Sequence, residues 1–177
     1  MLRSSSDHHP GLFVTVDGPF GAGKSTVVAH LAQLLVAHGE QVHTTAEAST
    51  SAIGALARDL TDTVTGPALA CLYAAHRYHH LDVGEINLGD GYVPSSLVMQ
   101  RFDGVEAEFL WALNSAADRT DVAIAFDADP AVTTTRLADR GPRNRFHRAL
   151  GSSHAEVHFD RTSPRAPSPR RLPRTTA

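Results

Sequence analysis

The chain has 177 residues, 42% of them hydrophobic and 20% charged, enough to bury one core but not to build a second full domain. A single cysteine, Cys71, excludes an intrachain disulfide, and no run approaches the ~20 apolar residues of a membrane span. The net charge of −3 is unevenly divided: residues 1–160 hold 11 Lys+Arg against 19 Asp+Glu, whereas residues 161–177 hold five arginines and no acid.

Residues 1–10, with His8 and His9, lack the apolar run of a signal peptide and read as a flexible segment before a core over 11–160, so a cytoplasmic protein is expected. Leu12-Phe13-Val14-Thr15-Val16 has the near-continuous apolar character of a buried parallel strand. It runs into Gly18-Pro19-Phe20-Gly21-Ala22-Gly23-Lys24-Ser25-Thr26, a G-x-x-x-x-G-K-[ST] loop in strand-to-helix context. Thr26 is expected to start the helix proper, with Val27, Leu31, Leu34 and Leu35 at helical spacing until Gly39.

The chemistry of that loop is phosphate binding. Its glycines let backbone N–H groups turn inward as an anion nest at the positive end of a helix. Lys24 is the only lysine in the chain, against fifteen arginines. A compact ammonium at this one position suits the outer phosphates of a nucleotide better than a planar fork does. The Ser25 hydroxyl would complete the coordination of a magnesium ion bound to those phosphates.

Residues 41–45 read as a second strand and 53–60 as a short helix turning Ile53, Leu56, Ala57 and Leu60 inward. Gly66-Pro67 opens a longer helix through Leu81, on which Cys71 is expected to be a small buried side chain. His76, His79 and His80 share a side of it; with Asp82 the only nearby carboxylate, a solvated or domain-facing cluster is favoured over a zinc site. Residues 85–90 form a thin strand ending on Asp90, where Ile86 and Leu88 offer little to bury.

A helix over 104–117 would place Val105, Phe109, Ala112 and Leu113 on one face, and Val122 to Phe126 is a buried strand ending at Asp127. Asp129 then caps a helix with Pro130 at its first position, running to Arg140-Gly141, beyond which Arg143, Arg145 and Arg148 crowd a polar loop. The alternation implies an α/β, three-layer P-loop NTPase fold: a parallel β-sheet flanked by helices on both faces, with ligands at the carboxyl ends of the strands. Residues 161–177, rich in arginine and proline, read as a disordered tail, and nucleic acid is not expected as a partner.

Three further segments carry a resemblance: Leu72-Tyr73-Ala74-Ala75-His76-Arg77, then Asp90 to Gln100, then the arginines after Arg140-Gly141. With the phosphate loop, and in this order, they resemble the thymidylate kinase family of P-loop nucleoside monophosphate kinases over residues 11–148. The resemblance implies ATP-dependent phosphoryl transfer to dTMP, with Mg2+, nucleotide substrates and pairing as a homodimer. It implies that residues 18–26 bind ATP, that Tyr73 stacks on the base, and that Arg77 contacts the base or its phosphate. By the same resemblance Asp90 lies near the metal, Ser95, Ser96 and Gln100 surround the sugar and base, and Arg140, Arg143 and Arg145 belong to a catalytic lid.

The sequence departs from that pattern where the acceptor binds. Phe20 stands at the loop position that often carries an acid in the family, Ala46 replaces the arginine of R-E-P, and Gly91 replaces the arginine of D-R-Y. Each missing charge-assisted hydrogen bond is worth about 1.5–3 kcal/mol, so Arg77 or Arg101 would have to substitute. A kinase for another small molecule or modified nucleoside, and a non-catalytic nucleotide-binding relic, are the alternatives that these departures motivate.

Overall fold

The computed structural model describes residues 11–79, 85–141 and 144–152. His8, His9, His80, Leu81, Asp82, Arg143 and the tail at 161–177 lie outside them. Its elements are β1 (Leu12–Asp17), α1 (Lys24–Ala37), β2 (Val42–Ala46), α2 (Ala52–Leu60), α3 (Gly66–His79), β3 (Ile86–Asp90), α4 (Val93–Phe102), α5 (Ala107–Leu113), β4 (Val122–Ala125), α6 (Pro130–Arg140) and α7 (Arg145–Ser152).

The strands form one sheet in the order β2-β3-β1-β4, every pair parallel. The register sets Asp90 between Val16 of β1 and Ala46 of β2, and pairs Asp17 with Ala125 of β4. The carboxyl ends therefore bring Asp17, Ala46 and Asp90 to one edge of the sheet, the edge from which the glycine loop departs. That is where an open parallel α/β sheet binds ligands.

β3 holds the centre, contrary to the expectation of a thin strand with little to bury. Asn87, Leu88 and Gly89 are all buried, because β1 and β2 flank the strand on both sides. β4 differs in the opposite sense: its composition is that of a buried strand, yet it lies at the sheet edge with Val122 45% exposed. Burial here follows strand order, which composition does not encode.

Helix phases also shift. α1 begins at Lys24 rather than Thr26, with Gly23 in the left-handed region at φ 97° as its cap. That start turns Val28 into the core with Leu31, Ala32 and Leu35, packed against Val14, Val16 and Leu88, and leaves Val27 and Leu34 exposed. Burying a side chain the size of Val28 contributes about 1.5–3 kcal/mol. On α2 the inward residues are Gly54 and Ala57, and Leu56 is exposed. The helix expected over 104–117 shortens to α5, with Leu110 in the core and Phe109 out, while Val105 is buried ahead of it.

Cys71 is exposed, because α3 turns Leu69, Ala70, Tyr73, Ala74, His76 and Arg77 inward and position 71 falls on the opposite side. His76 is fully buried rather than solvated, its Nε2 2.9 Å from the Ser49 amide and 2.8 Å from the Ser49 hydroxyl. Among the described residues no group of three or more His, Cys, Asp or Glu side chains could hold a metal ion. No described helix is long and apolar enough to cross a membrane.

Candidate active site

The loop after β1 wraps tightly against its neighbours. Gly18 has φ +145°, and a Cβ there would lie 2.7 Å from the Phe126 carbonyl oxygen beyond β4. Gly21 has φ +81°, and a Cβ there would lie 2.8 Å from the Thr133 carbonyl oxygen of α6. Neither position accepts a side chain, so the glycines both shape the loop and let it seat between β4 and α6.

Lys24 Nζ donates to the Gly18 and Pro19 carbonyls, each at 2.9 Å, folding the ammonium back over the loop. Burial pulls the Lys24 ammonium below the usual lysine range; Asp90 and Asp17 oppose that shift and Arg140 adds to it. Arg140, the last residue of α6, thus lies within electrostatic reach of the lysine. Ser25 Oγ donates to the Asp90 carboxylate, joining the start of α1 to the end of β3. Thr26 is exposed at the same helix start.

Asp17 is a residue that the motif reading passed over. Its Oδ1 accepts from the Tyr92 amide at 3.0 Å and the Ser95 hydroxyl at 2.7 Å, capping α4, whose own N-cap side chain makes no capping bond. A carboxylate at a helix N-terminus satisfies orphan amides and complements the helix dipole. The signal was available: Asp17 ends its strand directly before the glycine loop, as Asp90 ends β3. Arg136 was also passed over. One turn before Arg140, its guanidinium donates to the Gly21 carbonyl at 3.3 Å.

Behind the loop, Arg77 is 1% exposed and pairs with Glu47, donating also to Asn114 and to the Ser96 hydroxyl. Its guanidinium carbon lies 5.3 Å from the Tyr92 ring centroid. Burial pushes the Glu47 carboxyl up, and Arg77 and Ser96 pull it back. Tyr73 is buried, its hydroxyl 3.1 Å from Thr61 Oγ1 and its ring within the cluster of Ala57, Leu69, Met99 and Phe146. One turn beyond Ser96, Gln100 is fully buried with neither amide atom hydrogen-bonded.

Arg145 does not hang over the loop as a free cation. It forms a paired contact with Asp103, one arm at 2.5 Å, and donates to the Thr61 carbonyl at 2.6 Å and the Val64 carbonyl at 3.2 Å. These bonds pin α7 to the α2–α3 connection and the end of α4. Phe20 reaches the same region from the loop, its ring 4.2 Å from that of His147. Arg145→Ala would strand Asp103, whose side chain is 4% exposed, and is expected to cost about 2–4 kcal/mol. A thermal melt should fall by roughly 5–15 °C; an unchanged melt with a collapsed turnover rate would instead make Arg145 a lid residue.

A cleft of about 710 Å³ opens beside Ser25 and Asp90 and extends past Ala46, Ser51, His43 and His79. Neither arginine expected to replace the missing cations lines it. Arg77 is committed to Glu47, and Arg101 lies half-exposed at the other end of α4, 3.4 Å from Glu106.

The Thymidylate kinase family model matches residues 16–159. A protein of Caldivirga maquilingensis named probable thymidylate kinase is 34% identical over 149 residues, covering 77% of this chain and 73% of the relative. A thymidylate kinase of Leifsonia xyli subsp. xyli is 33% identical over 169 residues, covering 85% and 78%. A probable thymidylate kinase of Pyrobaculum aerophilum is 31% identical over 145 residues, covering 76% and 73%.

Proposed function

The chain belongs to the thymidylate kinase family, and from that premise we propose that it moves the γ-phosphoryl group of ATP onto dTMP, giving dTDP and ADP. The observation that carries this reading is the contact of Ser25 with Asp90 in the lining of the cleft, with Lys24 next to Ser25 at the start of α1 and folded over the glycine loop.

Residues 18–26 cradle the ATP phosphates with inward amides, and Lys24 leaves the Gly18 and Pro19 carbonyls to reach the outer phosphates. The hydroxyl of Ser25 and the carboxylate of Asp90, two hard oxygen donors in contact, fit a magnesium ion, which when bound neutralises charge on the phosphates. Arg140 adds fixed positive charge near Lys24, where negative charge develops on the transferring group. Arg136 holds the loop through Gly21. Arg143 is proposed for the lid by the family pattern alone.

On the acceptor side, Asp17 fixes α4 through Tyr92 and Ser95, and α4 carries Ser96, which accepts from Arg77, and one turn on Gln100. The unpartnered amide of Gln100 supports a role in reading a planar base. Tyr73, enclosed in the core cluster, would have to turn out of it to stack on that base. Arrangement as a homodimer belongs to the same reading, from the family alone.

The deciding experiment is ADP release measured with dTMP, with thymidine and with no acceptor. Release that depends on dTMP is expected. Release with thymidine alone would assign a different acceptor, and ATP binding without any acceptor-dependent release would make the chain a nucleotide-binding relic.

A further inference from the structure

Tyr73, Arg77, Ser96 and Gln100 are all buried, and none of them lines the cleft beside Ser25 and Asp90. They are not ordinary core. Among the described residues neither amide atom of Gln100 has a hydrogen-bond partner, and the Arg77 Nε has none either. A buried polar atom left unpaired costs more than an apolar side chain filling the same space, so this group marks a place that a ligand completes.

The element that closes the place is α7. Of its described side chains Phe146 alone is buried, and it lies in one apolar cluster with Tyr73 of α3 and Met99 of α4, the two helices that also carry Arg77 and Gln100. Arg145 straps α7 down: its contacts with Asp103 and with the Thr61 and Val64 carbonyls tie it to the end of α4 and to the connection ahead of α3. The Arg145 amide adds a bond to Asp62 at 2.6 Å. From the phosphate loop Phe20 packs on the same cluster, its ring 4.2 Å from that of His147.

We propose that Phe146 is a plug: its ring fills the space beside Tyr73 that the acceptor's base takes, and α7 withdraws before the acceptor binds. The inference rests on reading Tyr73, Arg77 and Gln100 as the acceptor side. Tyr73 then turns out of the cluster into the space that Phe146 gives up. Withdrawal of α7 disturbs the least structure, because this eight-residue helix buries one described ring, whereas α3 turns six side chains beyond its first residue into the core. A pocket open for only a fraction of the time binds with an affinity reduced by that fraction. The plug competes with the base and not with the phosphate, so it weakens thymidine and dTMP by the same factor.

The test begins with hydrogen exchange on the wild-type chain, with and without saturating dTMP. Displacement of α7 should speed exchange of the amides of residues 145–149 by about tenfold, while exchange over α4 slows. Unchanged or slower exchange at 145–149 would overturn the proposal, since α7 would then stay in place or close over the acceptor. Calorimetry follows on variants. Phe146→Ala should bind thymidine and dTMP each about tenfold more tightly than the wild type. Asp103→Asn, which loosens Arg145, should gain in part, and Phe146→Leu, which keeps an apolar side chain in the cluster, should stay near the wild type. An affinity of Phe146→Ala no better than the wild type's, or a gain confined to dTMP, would also overturn it. Tighter binding without any dTMP-dependent ADP release would sink the kinase reading and leave the plug standing; dTMP-dependent release with the same KM in the wild type and Phe146→Ala would do the reverse.

Discussion

Lys24→Ala lowers kcat for ADP release with dTMP by about 10²–10³-fold and leaves the thermal melt close to that of the wild type. The fold is spared because Nζ bonds only to the Gly18 and Pro19 carbonyls of its own loop, and those can turn to solvent. Catalysis is not spared, because phosphoryl transfer needs fixed positive charge at the position where negative charge gathers. Lys24→Arg should be nearly as damaging: the loop is shaped around a compact ammonium, and a planar fork cannot fold back over two carbonyls in the same space. The check is steady-state kinetics beside a circular-dichroism melt. An alanine variant with wild-type kcat would remove the loop from the mechanism.

Arg77→Met should be the most destabilising single change at the site, by about 3–5 kcal/mol, because it leaves the Glu47 carboxylate buried without its cation. Asn114 and Ser96 also lose their donor. The pH dependence has a definite sign. Burial raises the Glu47 carboxyl above the ordinary range even with Arg77 present, so the folded state takes up its proton more readily than the unfolded chain. A raised carboxyl loses stability as pH rises from the unfolded value through the folded one. Removing Arg77 raises it further, so the variant should recover part of its deficit between pH 8 and pH 5. The double variant Arg77→Met with Glu47→Gln should recover part of it at every pH, since no charge is then left buried. Urea melts of both variants at the two pH values decide the matter; an Arg77→Met variant as stable as the wild type at pH 8 would mean that the pair is not the strut it is taken for.

The donor half of the site was legible because it is local. Strand, glycine loop, lysine and helix start lie within fifteen consecutive residues, and inward amides follow from glycine positions and helix polarity alone. Asp129 as a cap with Pro130 behind it was legible for the same reason, and its Oδ1 accepts the Ala131 amide at 2.8 Å. The acceptor half was less so. Arg77 read as a contact to the base or its phosphate and Arg145 as a lid residue, yet each is fixed by a carboxylate far along the chain, Glu47 and Asp103. Which acid an arginine meets depends on packing between helices, and one sequence read alone carries no record of that.

The four strands, helices α1, α2, α3, α5 and α6, the phosphate loop and the family followed from the sequence, through short-range periodicity, turn chemistry and motif spacing, whereas α4 went unread and α7 forms where a polar loop was expected. Tertiary structure alone decided that β3 is central and β4 an edge, that α1 turns Val28 rather than Val27 inward, and that His43 and His79 share a cleft with Asp90. The division has a physical cause. Local preferences are set by a residue and its near neighbours, whereas burial and charge pairing are set by which distant segments the packed sheet brings together.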